Sequence, residues 1–489
     1  MKSITIRSLS SGGCHREEPF VAFEKMPRPG LARAAVLSAL PFMMIAAVAN
    51  VAVAKSPQTS GAFATAYSVP NDYSVAESIS QTGGGGFAVG TLTTGNATVL
   101  MVDPSGNIQS QTQYSYGIGP QSTDLNIIKA TSDGGSIFAG APQAGCPALN
   151  LGSCSAIAKV NSTGKVQWAN DLLFASNSPT GTDTFDIQQT NDGGFVLAGY
   201  ALAPGAVYNP WVGKLSSSGQ IQWLHLFADP NSQYGAAYSV RQTADGGYMV
   251  GGEVTYTGGE ITLFKLDATG TLVWQRDYAA GTDAYLQSMG LTSDGGAILI
   301  GEVDTENGNN YTSSALLLKV DSKGSKQFAQ TVLPSGSISD LNVVGGQQTS
   351  DGGYAFAGYY FQNTVYDERA WLVKTNSGGN IQWDKIYGPD VEYSDRHFFS
   401  FQQTGDGGFI GAGSTNEFNG GNASTWLVKT DSSGNISKCA DVHNDSATAG
   451  AIAVTVSKGN LSAVKDSFSY VPDSLTLSSG PLSATQECP

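Results

Sequence analysis

Charge is scarce in this 489-residue chain: 13% of residues are Asp, Glu, Lys or Arg, and histidine occurs four times. Cationic residues are scarcest. Six of the 25 Lys and Arg and three of the 40 Asp and Glu fall within residues 1–54. That leaves 19 against 37 beyond them, net −18, with Arg241, Arg276, Arg369 and Arg396 as the remaining arginines. Such a balance repels phosphate backbones and anionic headgroups, which excludes nucleic acid and acidic lipid as partners. Four arginines also argue against a sialidase, whose site would need an arginine cluster. His225, His397 and His443 are scattered and no Cys-x-x-Cys occurs, so no metal site is expected. Nucleophile-elbow, phosphate-loop, HExxH and dinucleotide signatures are missing too, and no cofactor is expected.

Long apolar runs are absent with one exception. Ala34 to Ala54 reads "AAVLSALPFMMIAAVANVAVA" behind Arg28 and Arg33 and ends in Ala52-Val53-Ala54. This is the pattern of a secretory signal peptide with its cleavage site; a membrane anchor is the alternative, disfavoured by the small residues at the end of the run. "MPRPGLARAAVL" from Met26 makes an ordinary basic start, so residues 1–54 are read as a signal region with Met26 the true initiator. The mature chain is expected in the periplasm or outside the cell, with no membrane span after cleavage. Cys146, Cys154, Cys439 and Cys488 remain in it, an even number in an oxidising compartment. Of three pairings, proximity favours Cys146–Cys154 as a loop staple and Cys439–Cys488 as a clasp on the C-terminal tail. Low charge with an acidic balance suits a protein whose carboxylates neutralise in acid, though ordinary exported β proteins look alike.

What the chain does have is repetition. "QQTNDGGFVLAG", "QQTSDGGYAFAG" and "QQTGDGGFIGAG" begin at Gln188, Gln347 and Gln402. The Asp-Gly-Gly turn occurs at Asp133, Asp192, Asp245, Asp294, Asp351 and Asp406, and degenerately at Gly84. A second motif follows each, as in "KVNSTGKVQW" from Lys159 and "KLSSSGQIQW" from Lys214. Seven units of four short strands with glycine turns predict an all-β, seven-bladed propeller over 55–439. A solenoid or a pair of sandwiches is the competing architecture. "GAFATAYS" from Gly61 is expected to close the ring against the last blade, and residues 440–489 to form a β-rich tail. The unit lacking the Asp (Gly84) also lacks the Lys (Met101), which predicts an Asp–Lys contact inside each other blade. Trp168, Trp223, Trp274 and Trp383 of the second motif read as core.

These units resemble a family of secreted bacterial and archaeal propeller proteins built on "QTSDGGY…AG…WLVKTDSNGNIQW". The resemblance spans nearly the whole mature chain and implies the fold. A weaker resemblance, in size, export signal, low charge and all-β repeats, is to tetrathionate hydrolases of acidophiles. It implies an acid-active hydrolase of an inorganic sulfur anion.

The short constant turns share one face and the long variable connections the other, where function belongs. Strand alternation aims two polar registers at the central channel. Lys129, Asp186 and Arg241 stand in them on three consecutive blades. They suggest a small-anion site in which Lys129 and Arg241 hold the ligand and Asp186 is catalytic, against a bland reading of mutual neutralisation. Asp124, Asp183, Tyr285 and His397 share one level nearer the variable face and are further ligand-binding candidates. Tyrosines of the variable loops (Tyr208, Tyr234, Tyr256, Tyr311, Tyr359, Tyr360, Tyr366 and Tyr393) suit a binding surface. Three functions therefore compete: a propeller binding a small ligand or partner at this face and channel, a cell-surface interaction protein, and the acid-active hydrolase. Homo-oligomerisation is left open.

Overall fold

The computed structural model describes residues 61–488 apart from 94–95, 117–122, 143–153, 175–180, 204–206, 231, 233, 255–258, 308–309, 365, 390–393, 465–467 and 473–474. The signal region, Cys146, Tyr256 and Tyr393 lie outside the described residues.

Strands form seven antiparallel sheets, each a blade. In blade three the chain runs Thr182–Gln189, Phe195–Ala203, Val207–Leu215 and Ile221–Ala228, from the channel outward. The innermost strands are Ser74–Gln81, Thr123–Ala130, Thr182–Gln189, Ala236–Gln242, Asp283–Leu291, Ile338–Gln348 and Arg396–Gln403, and each touches the next in a closed ring. Closure is shared between the chain's two ends. Phe63–Ser68 pairs antiparallel with Ser424–Thr430 as the fourth strand of blade seven, as the sequence predicts.

The repeated motif is explained by what one aspartate does. Each Asp of the Asp-Gly-Gly turns accepts three kinds of bond. The Thr two residues earlier donates at 2.5 Å. The second Gly donates its N–H at 3.0–3.1 Å. The Lys of the third strand pairs at 2.8–3.0 Å in all six blades that carry both residues. The lysines are buried and also donate to the carbonyl of the following residue. In blade one Met101 stands at the lysine register, opposite Ala88. The Asp-Gly-Gly turn needs glycine twice over: the first is in the left-handed region (Gly193, φ 80°), and a Cβ on the second would sit 2.3 Å from the Leu215 carbonyl.

Blades are locked together by the same motif. The second Gln of "QQT" accepts an N–H from the turn of the preceding blade, as Gln242 does from Asn191 at 2.9 Å. Gln81 of blade one accepts from Gly405 of blade seven at 2.8 Å, so the lock runs across the closure. Tryptophans of the fourth strands pack on the aromatic after the next blade's turn, Trp168 on Phe195 and Trp383 on Phe409. With Trp223 and Trp274 they are partly buried and pack against the core from its edge.

The tail changes the blade count of strands. Rather than hanging from blade seven, Val442–Asn444, Thr448–Ala451, Val454–Ser457, Ser462–Val464, Phe468–Pro472, Leu475–Ser479 and Ser483–Cys488 pair in turn with the outer strands of blades six, five, four, three, two, one and seven. Every four-stranded blade thus gains a fifth, antiparallel strand from a belt that circles the propeller. The belt is held by main-chain pairing and a few buried anchors: Val454, Leu461, Leu482 and Cys488. A disulfide between Cys439 and Cys488, with Cα atoms 5.3 Å apart, fastens its end to its beginning. Cys154 is buried and disulfide-bonded.

Two outcomes test this account. Asp192→Ala should cost about 1–3 kcal/mol by stranding a buried ammonium. Adding Lys214→Met, the residue blade one already carries, should restore most of that in urea unfolding. An undiminished loss in the double variant would contradict it. Cys488→Ser should cost up to about 4 kcal/mol of loop entropy for a 49-residue closure and expose the belt to protease first. A melting temperature unmoved by reduction would show that the belt needs no fastening.

Candidate functional site: the central channel and its mouth

Every innermost strand carries a β-bulge at the same height. Register shifts between Ala76 and Ser78, Leu125 and Ile127, Thr184 and Asp186, and at the corresponding place in the other four blades. One extra residue at this height reverses which side chains face the channel, and Ile338–Gln348 carries a second shift between Ser339 and Asn342. Below the bulge, toward the constant turns, the two polar registers line the channel. Above it, at the variable face, the residues at the bulge and two before it do so.

Below the bulge the polar side chains cap strand edges. An innermost strand has N–H groups with no strand beside them, and side chains of the preceding blade accept them. Gln402 accepts from Gln81 at 3.0 Å, Gln188 from Gln242 at 2.7 Å, Ser400 from Ile79 at 3.1 Å and Ser288 from Gly346 at 3.0 Å. Asp186 fills the same role. It is fully buried, accepts the Val240 N–H at 2.9 Å and the Ser239 hydroxyl at 3.2 Å, and pairs with the Arg241 guanidinium. Arg241 and Lys129 are as buried as Asp186. Lys129 feels the charges of both, and burial, reinforced by Arg241, pushes its pKa down to about 7. The structure thus brings together the three channel charges named from the sequence. They form a buried cluster, two cations around one carboxylate.

Above the bulge the mouth is aromatic and acidic. On blades three and four Phe185, Tyr200, Tyr208, Tyr234 and Tyr238 form a continuous ring. Neighbouring centroids lie 5.3–5.7 Å apart, and the circuit closes through a 2.9 Å bond between the Tyr234 and Tyr238 hydroxyls. Across the mouth Tyr359 meets His397 at 4.4 Å and Phe399 at 5.8 Å, and His397 stacks on Phe399. The His397 imidazole pairs with Glu368, whose pKa this bond lowers. Asp183 accepts the Asn126 amide at 2.5 Å and the Thr184 N–H at 2.9 Å. Tyr285, partly buried among Asp283, Asp304, Glu253 and Glu302, has its phenol pushed up to about 12, mainly by burial. Asp124 lies on its innermost strand opposite Ala141, at the level of Asp183.

Glu368 was not singled out from the sequence, nor were two further carboxylates here. Glu253 and Glu302 follow the glycines of "VGGE" and "LIGE" and reach the bulge of the next blade. Glu253 accepts the Leu286 N–H at 3.2 Å and Glu302 the Val343 N–H at 2.8 Å. Burial, with Glu302 nearby, raises the Glu253 pKa to about 8. Their signal is their place, directly opposite Ala236 and Tyr285 of the innermost strands, which becomes visible only once the bulge fixes the register. Tyr360, grouped with the loop tyrosines, is fully buried against Trp371 instead, because the strand carrying it extends to Gln362. Among the described residues the one cluster with metal-ligating spacing is Cys439, Asp441 and Cys488, whose cysteines form the belt disulfide.

No family model matches the chain, and no curated protein matches it. Solved structures do. A quinohemoprotein alcohol dehydrogenase, ADHIIG of Pseudomonas putida HK5, aligns at 8% identity and TM-score 0.39, over 72% of this chain and 66% of that one, just under two thirds of its length. The biofilm matrix protein Bap1 of V. cholerae aligns at 12% identity and TM-score 0.17, over 76% and 68%.

The ionisation pattern fixes a pH profile. Glu253 (about 8) and Asp367 (about 6, raised by burial) hold protons in the fold that the unfolded chain has released. Their contribution is full below about pH 4 and is lost as pH rises through 6 and 8. Asp245, Asp294 and Asp351, held near 2 by Thr and Gly bonds and their lysines against the opposing effect of burial, contribute above about pH 4 and lose it toward 2. Lys129 acts oppositely above about 7, where the unfolded chain keeps its proton longer, which flattens the alkaline side. Melting temperature should therefore peak near pH 4. A maximum at pH 7 or above would contradict these assignments. Asp186→Asn should cost about 3–5 kcal/mol, because it leaves two buried cations without their carboxylate. Undiminished stability would mean that Asp186 is free for chemistry.

Proposed function

We propose that this chain is an exported binding propeller whose ligand or partner docks on the variable face at the channel mouth. The observation that carries the reading is the five-membered aromatic ring of blades three and four. Tyr208 lies exposed at 36%, and Tyr200 and Tyr234 are half-buried beside it. Large aromatic faces left open in a polar surface supply contact area at little entropic cost, and their hydroxyls fix orientation. The surrounding acceptors Asp183, Glu302 and Glu368 favour a neutral or cationic ligand that brings hydrogen-bond donors. The disulfides suit an oxidising compartment, and among the described residues no helix is long and apolar enough to cross a membrane.

A second reading, an acid-active hydrolase of a sulfur oxyanion, is favoured by one observation. Lys129 gains its charge below about pH 7, so the channel floor turns cationic in acid while surface carboxylates neutralise. Here Lys129 and Arg241 would attract the anion and Asp186 would activate water.

Binding should be screened with glycans, organic amines and tetrathionate at pH 3 and 7, following tyrosine fluorescence and product release. Under the first reading a glycan or amine binds, and Tyr208→Ala with Tyr234→Ala weakens it at least about ten-fold. Turnover of tetrathionate in acid, lost in Lys129→Met, would replace it with the second.

A further inference from the structure

On the variable face, outside the channel, a polar cavity of about 240 Å³ lies where blades six and seven meet the start of the belt. Glu368, which pairs with His397 at the mouth, is also in its wall, so the two sites are neighbours that share this residue.

Its wall holds polar atoms that the described residues leave without hydrogen bonds. Arg396 is 1% exposed, yet only its Nη2 is engaged, by Glu417 and at 3.7 Å by Glu487; Nε and Nη1 have no partner. The guanidinium is fixed by Trp426 beneath it, 5.5 Å away, and by Gly388, where a Cβ would collide with Nη1. Asp367 is 2% exposed; its Oδ2 takes Arg369 Nε at 3.1 Å, and its Oδ1 is unsatisfied. His443, from the belt, presents a buried Nε2 without a partner. Native proteins rarely leave such groups unpaired, and four such atoms around one cavity mark a site built to be filled.

The unpaired atoms select the occupant. Arg396 offers donors and Asp367 an acceptor, so an acceptor-only oxyanion would leave Oδ1 unsatisfied. An anion would also face Asp367, Glu368 and Asp445 with two arginines already paired. A hydroxyl group both donates and accepts and carries no charge. Ile386 and Pro389 supply apolar wall for the face of a ring. We propose that this cavity binds a single neutral polyhydroxylated unit, a monosaccharide or the terminal sugar of a glycan. Arg396, Asp367 and His443 hold its hydroxyls.

The test is calorimetric titration of the full chain at pH 7.5, where the Asp367 carboxyl is ionised and accepts, with glucose, galactose, mannose and N-acetylglucosamine, with maltotriose as a chain-terminal probe and sulfate as the ionic control. One sugar should bind saturably, and sulfate should not compete. Binding of maltotriose but not glucose would assign a chain end; the reverse, a free sugar. Asp367→Asn and His443→Leu should each weaken binding about ten-fold or more. His443 sits on the half-exposed belt, so its variant keeps the fold if the Asp367 one does not. Sugar affinity lost in Tyr208→Ala and kept in Asp367→Asn and His443→Leu would assign the sugar to the mouth and overturn the proposal. No saturable sugar binding, sulfate binding in place of sugar, or unaltered affinity in both variants would overturn the proposal. So would a high-resolution crystal structure soaked with the sugar and showing water alone.

Discussion

Seven separate sheets expose fourteen edges, and the molecule is organised by how those edges are closed. An open strand edge is a row of unpaired N–H and C=O groups, a template for aggregation that native proteins must cover. Here the two edges of each blade are closed by different means. At the channel, glutamine, serine and aspartate side chains of one blade accept the N–H groups of the next, as Gln188 does for Gln242 and Asp186 for Val240. At the rim the belt adds a strand to every blade and ends in a disulfide to its own beginning. Inner edges are closed by side chains because seven strands converging on an axis leave no room for an eighth. Outer edges diverge, and main chain fits there.

That difference governs what the sequence discloses. The inner device repeats once per blade, so "QQT" and "DGG" recur and the architecture can be read from them. The shared loss at Gly84 and Met101 even reveals the Asp–Lys pair, because a buried lysine without its aspartate is not tolerated. The belt has no repeat. Its strands are three to six residues long, and where their burial is described they are mostly exposed and bury at most one side chain each, so neither period nor hydrophobicity announces them. Its one visible mark is the pair of cysteines at its two ends.

The mouth was only half legible for a geometric reason. Alternation is a sound guide until a bulge inserts a residue, and each innermost strand has one. Levels below the bulge follow from period two, which is how Lys129, Asp186 and Arg241 were placed in one cluster. Above it the parity inverts. Asp183, Tyr285 and His397 could be aligned across blades, but the facing acids Glu253 and Glu302 on the second strands, and the aromatic ring they adjoin, depend on a register that the sequence does not mark. The bulge also creates the need for those acids, since it frees the N–H groups of Leu286 and Val343 that they accept.

Charge then follows from edge closure. Capping an inner edge with a carboxylate instead of an amide buries a negative charge, and it must be compensated. At Asp186 compensation comes from Arg241 and Lys129; at Glu253, where the neighbouring charge is that of Glu302, burial raises the pKa to about 8 instead. The same pressure acts at the belt junction, where burial raises both Asp367 and Glu487. A fold that raises the pKa of buried carboxyls such as Glu253 and Asp367, and ties Asp245, Asp294 and Asp351 to lysines at pKa values near 2, has moved its electrostatic optimum toward acid without adding cationic surface. The scarcity of Lys and Arg is consistent with that strategy. With few cations exposed, neutralising the surface carboxylates removes repulsion and puts little of opposite sign in its place.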